Sequence, residues 1–109
     1  MHGNPLGWFP LRRIRVRGPS MAPALRDADV VLVRRARTVR PGDVVLVTWA
    51  RRPGQLSVKR ARHRTGDGWF VTGDNTHAST DSRELGAALV HGVVVARLWP
   101  RPQRVRSFS

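Results

Sequence analysis

Apolar residues in this chain come in short blocks separated by turn chemistry, and that pattern leaves little besides a small β domain. Asp29–Arg35 (DVVLVRR) and Val44–Trp49 (VVLVTW) are β-branched blocks of strand length. Arg12–Arg17 (RRIRVR) and Leu56–Arg62 (LSVKRAR) alternate, which places Ile14 and Val16 on one face. Trp69–Thr72 and Val90–Trp99 complete the set. Between the blocks stand Gly18-Pro19, Arg40-Pro41-Gly42-Asp43, Arg51-Arg52-Pro53-Gly54 and Thr65-Gly66-Asp67-Gly68. All are turn sequences, the last a hairpin signal. Ser20–Leu25 reads as a turn or a single helical turn, and residues 73–86 as a polar loop. No window carries a helical stripe. The expected fold is mainly β, a small antiparallel sheet domain over residues 12–99. Residues 1–11, with Trp8 and Phe9, form an N-terminal extension. Residues 100–109 form a basic tail expected to be disordered.

At 109 residues the chain fits one small domain, and its 40% apolar content suffices for a core. No apolar run approaches the ~18–20 residues of a membrane span. The start, MHGNPLGWFPLRR, is apolar first and basic second, the reverse of a secretory signal. The expected location is cytoplasmic, with a peripheral membrane position as the variant. Cysteine is absent, which excludes thiol catalysis, disulfides and cysteine-ligated metals. His2, His63, His77 and His91 lack metal-ligand spacing, so no metal and no cofactor are expected.

The charge is one-sided: 20 basic residues stand against 7 acidic, a formal +13. Every basic residue but Lys59 is Arg. Arg keeps its proton throughout the working range, whereas a buried Lys can lose it and become a base. The solitary Lys59 therefore marks a place where deprotonation has a use, unless it is a chance survivor of the Arg bias. The surplus of charge suits an anionic partner: an acidic substrate, phospholipid head groups or nucleic acid.

Ser20 lies on a rigid bend between Gly18-Pro19 and Met21-Ala22-Pro23. A serine hydroxyl attacks only when a neighbouring base takes its proton, and Lys59 is the candidate base. The strand parity that would turn Lys59 inward is open. A third segment, Gly73-Asp74-Asn75 through Ser79, Asp81, Ser82 and Arg83, is dense in hydrogen-bonding groups. Asp81 and Arg83 are placed to form an ion pair, and Ser79 or Ser82 to orient a lysine amine.

Together these segments are specific. Gly18-Pro19-Ser20-Met21-Ala22-Pro23-Ala24-Leu25 with Asp29–Val33 resembles the serine box of type I signal peptidases. Arg40-Pro41-Gly42-Asp43-Val44-Val45 resembles their next box, Val58-Lys59-Arg60 their lysine box, and Gly73-Asp74-Asn75 to Asp81-Ser82-Arg83 their last. All four stand in the family's order across roughly residues 14–98. The resemblance implies a Ser–Lys dyad protease on the β fold shared with LexA-type self-cleaving repressors. Position by position it implies Ser20 as nucleophile and Lys59 as general base. Ser79 matches the serine bonded to the amine, Asp81 and Arg83 the structural pair, and Gly73 to Asn75 the supporting strand end. Met21 matches a residue packed beside the nucleophile.

Three features depart from the family pattern. Gly18 stands where some members carry a serine that assists the oxyanion hole, leaving the Ser20 N–H and an unidentified donor. Only a hairpin separates Lys59 from Gly73, where larger members insert a second domain. No membrane anchor is expected. Short Arg-rich chains of this type resemble a narrower branch, the nickel-type superoxide dismutase maturation proteases, which implies removal of a short N-terminal extension from a precursor. The precursor is expected to bind as an extended peptide along Ile14, Val16, Leu56 and Val58, by strand addition. The alternatives are a membrane-peripheral signal peptidase, a basic nucleic-acid-binding module on a protease-like fold, and a self-cleaving regulator.

Overall fold

The structure, a computed structural model, describes residues 10–35 and 38–105. Among the described residues, seven strands and one helical turn follow in order: β1 (Leu11–Arg15), β2 (Val30–Arg35), β3 (Val44–Trp49), β4 (Arg52–Thr65), β5 (Gly68–Thr72), α1 (Ser82–Leu85), β6 (Leu89–Trp99) and β7 (Gln103–Arg104). They build one antiparallel sheet in the order β1-β2-β6-β3-β4-β5, with β7 added to β6. The mainly β, antiparallel expectation holds. Only the β4–β5 hairpin separates Lys59 from Gly73, so no second domain interrupts the sheet.

The alternation of β3 explains why its sequence is apolar at nearly every position. Val44 and Leu46 face one core cluster with Val16, Met21, Leu25, Val31, Val33, Val58 and Val94. Val45 and Val47 face the other, with Trp49, Ala61, Trp69, Val71, Ala88 and Val93. A strand buried on both faces has no polar side to show. The second core is closed by a two-way bridge: the Trp69 N–H donates to the Ala88 carbonyl at 2.9 Å, and the Ala88 N–H donates back at 2.7 Å.

Several boundaries differ from the sequence expectation. β4 begins at Arg52, before Pro53-Gly54, because Trp49 pairs with Arg52 across a two-residue reversal at Ala50-Arg51. β1 ends at Arg15, yet Val16 stays paired: its N–H donates to Asp29 O and its carbonyl accepts from Ala28 N, both at 2.8 Å. Leu11, assigned to the extension, opens β1, while Trp8 and Phe9 lie outside the described residues. The expected disorder of the tail fails at 103–105. Gln103 and Arg104 pair with Arg97 and Ala96, and Val105 packs on the first core. Among the described residues no helix is long and apolar enough to cross a membrane.

Candidate active site

Ser20 sits in the loop that follows β1, and the packing of its neighbours holds that loop down. Met21 and Leu25 are four apart and joined by a Leu25 N–H to Met21 O bond of 2.9 Å. That spacing turns both side chains into the first core, where each is essentially fully buried. Each contributes roughly 1.5–3 kcal/mol by burial. Ser20 itself is half-buried and borders an open groove. Gly18 has a φ of +81°, a region that favours glycine. Its N–H donates to the Asp27 carboxylate at 2.7 Å, so this donor is already committed.

Lys59 enters the same groove from β4. Val58, Lys59, Arg60 and Ala61 are all buried, so simple alternation could not have settled the parity of Lys59. Val58 belongs to the first core and Ala61 to the second. The two polar residues between them each find a partner. Arg60 makes a forked pair with Asp74, Nε to Oδ1 at 3.1 Å and Nη2 to Oδ2 at 2.6 Å, and a third bond to Gly42 O at 3.0 Å. This explains the Arg40–Asp43 segment. The Gly42 N–H donates to Ala61 O at 2.7 Å and Ala61 N–H to Asp43 O at 2.8 Å, clamping the turn to the lysine strand. The sequence reading had no role for Arg60; its only signal was a basic residue following Lys59 in a family whose last segment carries an Asp.

The Lys59 amine donates to Ser79 Oγ at 3.4 Å. Ser79 Oγ donates in turn to Asp81 Oδ2 at 2.9 Å. Asp81 is fully buried. It also accepts from Arg83 Nη2 at 2.7 Å, Arg83 Nε at 2.9 Å and the Gly73 N–H at 2.9 Å. It caps α1 as well, through the Arg83 N–H at 3.2 Å. Burial alone would push its carboxyl up, but the bonds from Arg83, Gly73 and Ser79 prevail and hold it well below the usual carboxylate range. Ser82, the other serine considered for the amine, instead accepts from the Val71 N–H at 2.9 Å. Lys59 is itself pulled below the ordinary lysine value, chiefly by burial; the Asp81 charge opposes this and the Arg83 charge assists.

Gly73 joins the two halves. A Cβ there would collide with Ser79 Oγ and lie 2.6 Å from the Ser20 carbonyl. The residue that touches the lysine's partner therefore touches the serine's backbone too. Asn75 extends the seam: its N–H donates to Ser20 O at 2.8 Å and its Nδ2 to Pro19 O at 3.2 Å. Of the residues expected to bind peptide, Leu56 is exposed, Ile14 half-buried, and Val16 and Val58 buried, and all four border the groove. From Arg52 to Lys59, β4 pairs with β3 alone among the described residues, because β5 joins from Arg60 onward. Among the described residues β1 pairs with the single strand β2. The groove thus lies beside strand edges that carry no further strand among the described residues. Among the described residues no group of His, Asp or Glu is arranged to hold a metal ion.

The chain is similar to known proteases over most of its length. The peptidase S24-like family matches residues 10–95. The mitochondrial ATP-independent inner membrane protease subunit 1a of Arabidopsis thaliana is 33% identical over an alignment of 115 positions, 78% of this chain and 68% of its own length. The mitochondrial inner membrane protease subunit 1 of Xenopus tropicalis is 30% identical over 110 positions, 76% of this chain and 66% of its own.

Proposed function

The chain belongs to the peptidase S24-like family, and from that premise we propose that it is a serine endopeptidase working through a Ser20–Lys59 dyad. Its substrate is a precursor protein bound as an extended peptide, from which it removes a short N-terminal extension. The observation that carries this reading is the Lys59–Ser79–Asp81–Arg83 chain of hydrogen bonds, which opens on the groove that Ser20 borders.

The polarity of that chain orients the base. The Ser79 proton is spent on Asp81, so Ser79 offers Lys59 only lone pairs. Lys59 must give it an N–H. In the neutral amine the single lone pair is then left for the Ser20 hydroxyl. Lys59 takes the Ser20 proton, Ser20 Oγ adds to the scissile carbonyl, and the developing oxyanion lies against the Ser20 N–H. The ammonium of Lys59 then protonates the leaving amine, and the acyl-enzyme is hydrolysed by water activated through the same lysine. Gly18 N–H is not the second oxyanion donor while Asp27 holds it.

The test is intact-mass spectrometry of a precursor incubated with wild type, Ser20→Ala and Lys59→Ala. A nickel superoxide dismutase precursor is the first substrate, from the narrower resemblance. The relatives' names support a membrane-associated protease more than that substrate, so a panel of exported preproteins runs beside it. One defined N-terminal loss with wild type alone is the expected result. Cleavage by either variant sinks the dyad. The names of the relatives also favour a second reading, a membrane-peripheral signal peptidase, which co-sedimentation with liposomes separates from the first.

A further inference from the structure

The groove that Ser20 and Lys59 border is cationic along its walls. Arg13, Arg15 and Arg17 line one side and Arg52 the other, and among the described residues no carboxylate lines it. All four are exposed. Among the described residues none of the four forms an ion pair; the pairs present are Arg60–Asp74, Arg83–Asp81 and Arg97–Asp29. Of the remaining acidic side chains, Asp27 is committed to the Gly18 N–H at the end of the groove, Asp43 accepts from Arg40, Asp67 is in the hairpin turn, and Glu84 is in α1. The three paired arginines serve the fold; the four at the groove, like most others on this surface, carry no ion pair among the described residues and leave the groove wall cationic.

The spacing is informative. Arg13, Arg15 and Arg17 are two apart, so on extended chain they project at intervals of about 6.5–7 Å. An extended peptide laid beside them repeats with the same period. The groove also offers apolar contact through exposed Leu56 and half-buried Ile14, beside edges of β1 and β4 that carry no further strand among the described residues, which suits a peptide strand better than a nucleic-acid backbone or a flat bilayer.

We infer that the enzyme selects acidic substrates: precursors carrying Asp or Glu at alternate positions of the bound segment, read by Arg13, Arg15 and Arg17 with Arg52 opposite. This rests on the protease reading above and names the substrate class of that site. Such pairs act at long range, so they raise the encounter rate as well as affinity, and salt weakens both.

The experiment uses internally quenched peptides with small residues before the cut and Glu, Gln or Lys at two alternate positions scanned along the bound segment. Wild type should show a kcat/KM about ten-fold higher for the best Glu peptide than for its Gln counterpart at low salt, with the ratio shrinking towards one in high salt. Arg13→Glu/Arg15→Glu should invert the order and favour Lys. Simple structural damage would lower all three peptides together and leave their order intact. Equal cleavage of Glu and Gln peptides by wild type overturns the acidic selection and leaves the protease standing. Cleavage of no peptide, with none of the precursors processed either, overturns the protease reading and this inference with it. If charge reversal leaves peptide order untouched and changes only retention on phosphatidylglycerol vesicles or an oligonucleotide, the arginines serve that surface and the inference fails.

Discussion

Gly73→Ala is the sharpest single perturbation the structure offers. The added Cβ would lie 2.6 Å from the Ser20 carbonyl oxygen and from Ser79 Cβ, about 0.8 Å inside the 3.4 Å at which ordinary contact begins. The Ser20 carbonyl cannot swing aside freely, because it accepts the Asn75 N–H. Ser79 cannot rotate without releasing Asp81. Overpacking of this size costs about 1–3 kcal/mol of stability. The larger effect is on rate: a displacement near 1 Å between reacting groups costs roughly 100-fold. The assay is kcat/KM on a cleavable peptide beside thermal unfolding, with Gly68→Ala as control. There a Cβ would lie 2.5 Å from Ala88 O, a similar crowding next to the Trp69–Ala88 bridge and outside the groove. Gly73→Ala should lose about two orders of magnitude in kcat/KM per folded molecule. Gly68→Ala should lose stability only. Wild-type kcat/KM in Gly73→Ala, or equal losses in both variants, would refute the idea that Gly73 sets the dyad's spacing.

Lys59→Met should abolish cleavage yet give a folded protein at least as stable near neutral pH, measured by thermal melting, because it removes a buried amine that resists protonation; Lys59→Arg should be equally inactive, since guanidinium keeps its proton. The folded-state pKa of Lys59 is lowered, so the unfolded chain binds the extra proton first and stability should rise with pH between that lowered value and about 10.4, a slope that denaturant titration should find missing in Lys59→Met. The acid limb of the kcat/KM profile should have its midpoint below the ordinary lysine value, and a limb at or above that value would remove Lys59 as the base. Asp81 is lowered in the fold, so its contribution is complete above about pH 4 and is lost as pH falls from there. Asp81→Asn should therefore flatten the acid unfolding curve, cost about 2–3 kcal/mol at pH 7 through weakened bonds to Gly73 and Ser79, and slow cleavage by loosening Ser79.

The strands and turns were legible because most have one dominant period or sit between clear turn residues, as with Trp69–Thr72 after the Gly66-Asp67 hairpin, where Gly66 takes a φ of +57°. The Asp81–Arg83 pair was legible from its spacing. What sequence could not resolve was β4. Its four consecutive buried residues obey no alternation, because two cores meet there and Lys59 and Arg60 each have a private acceptor. α1 was missed inside the polar loop because it is one turn long and depends on the Asp81 cap, with no apolar stripe to announce it. β7 was missed because its two residues are polar and exposed, and Val105 alone ties them to the core.

The half of β4 that takes no second strand among the described residues has a consequence for the protein's behaviour in solution. A bare strand edge is a template on which another copy of the same chain could grow, and such edges are a known route to aggregation. Here the edge from Arg52 to Lys59 carries no further strand among the described residues, and Arg13, Arg15, Arg17 and Arg52 flank it with like charge. Two copies approaching edge to edge would bring arginine against arginine. The same groups that flank the cleft therefore act as gatekeepers that keep identical molecules apart, and ionic strength weakens that guard. Concentrated protein should remain monomeric by light scattering in dilute buffer and begin to associate in strong salt, with Arg15→Gln associating sooner.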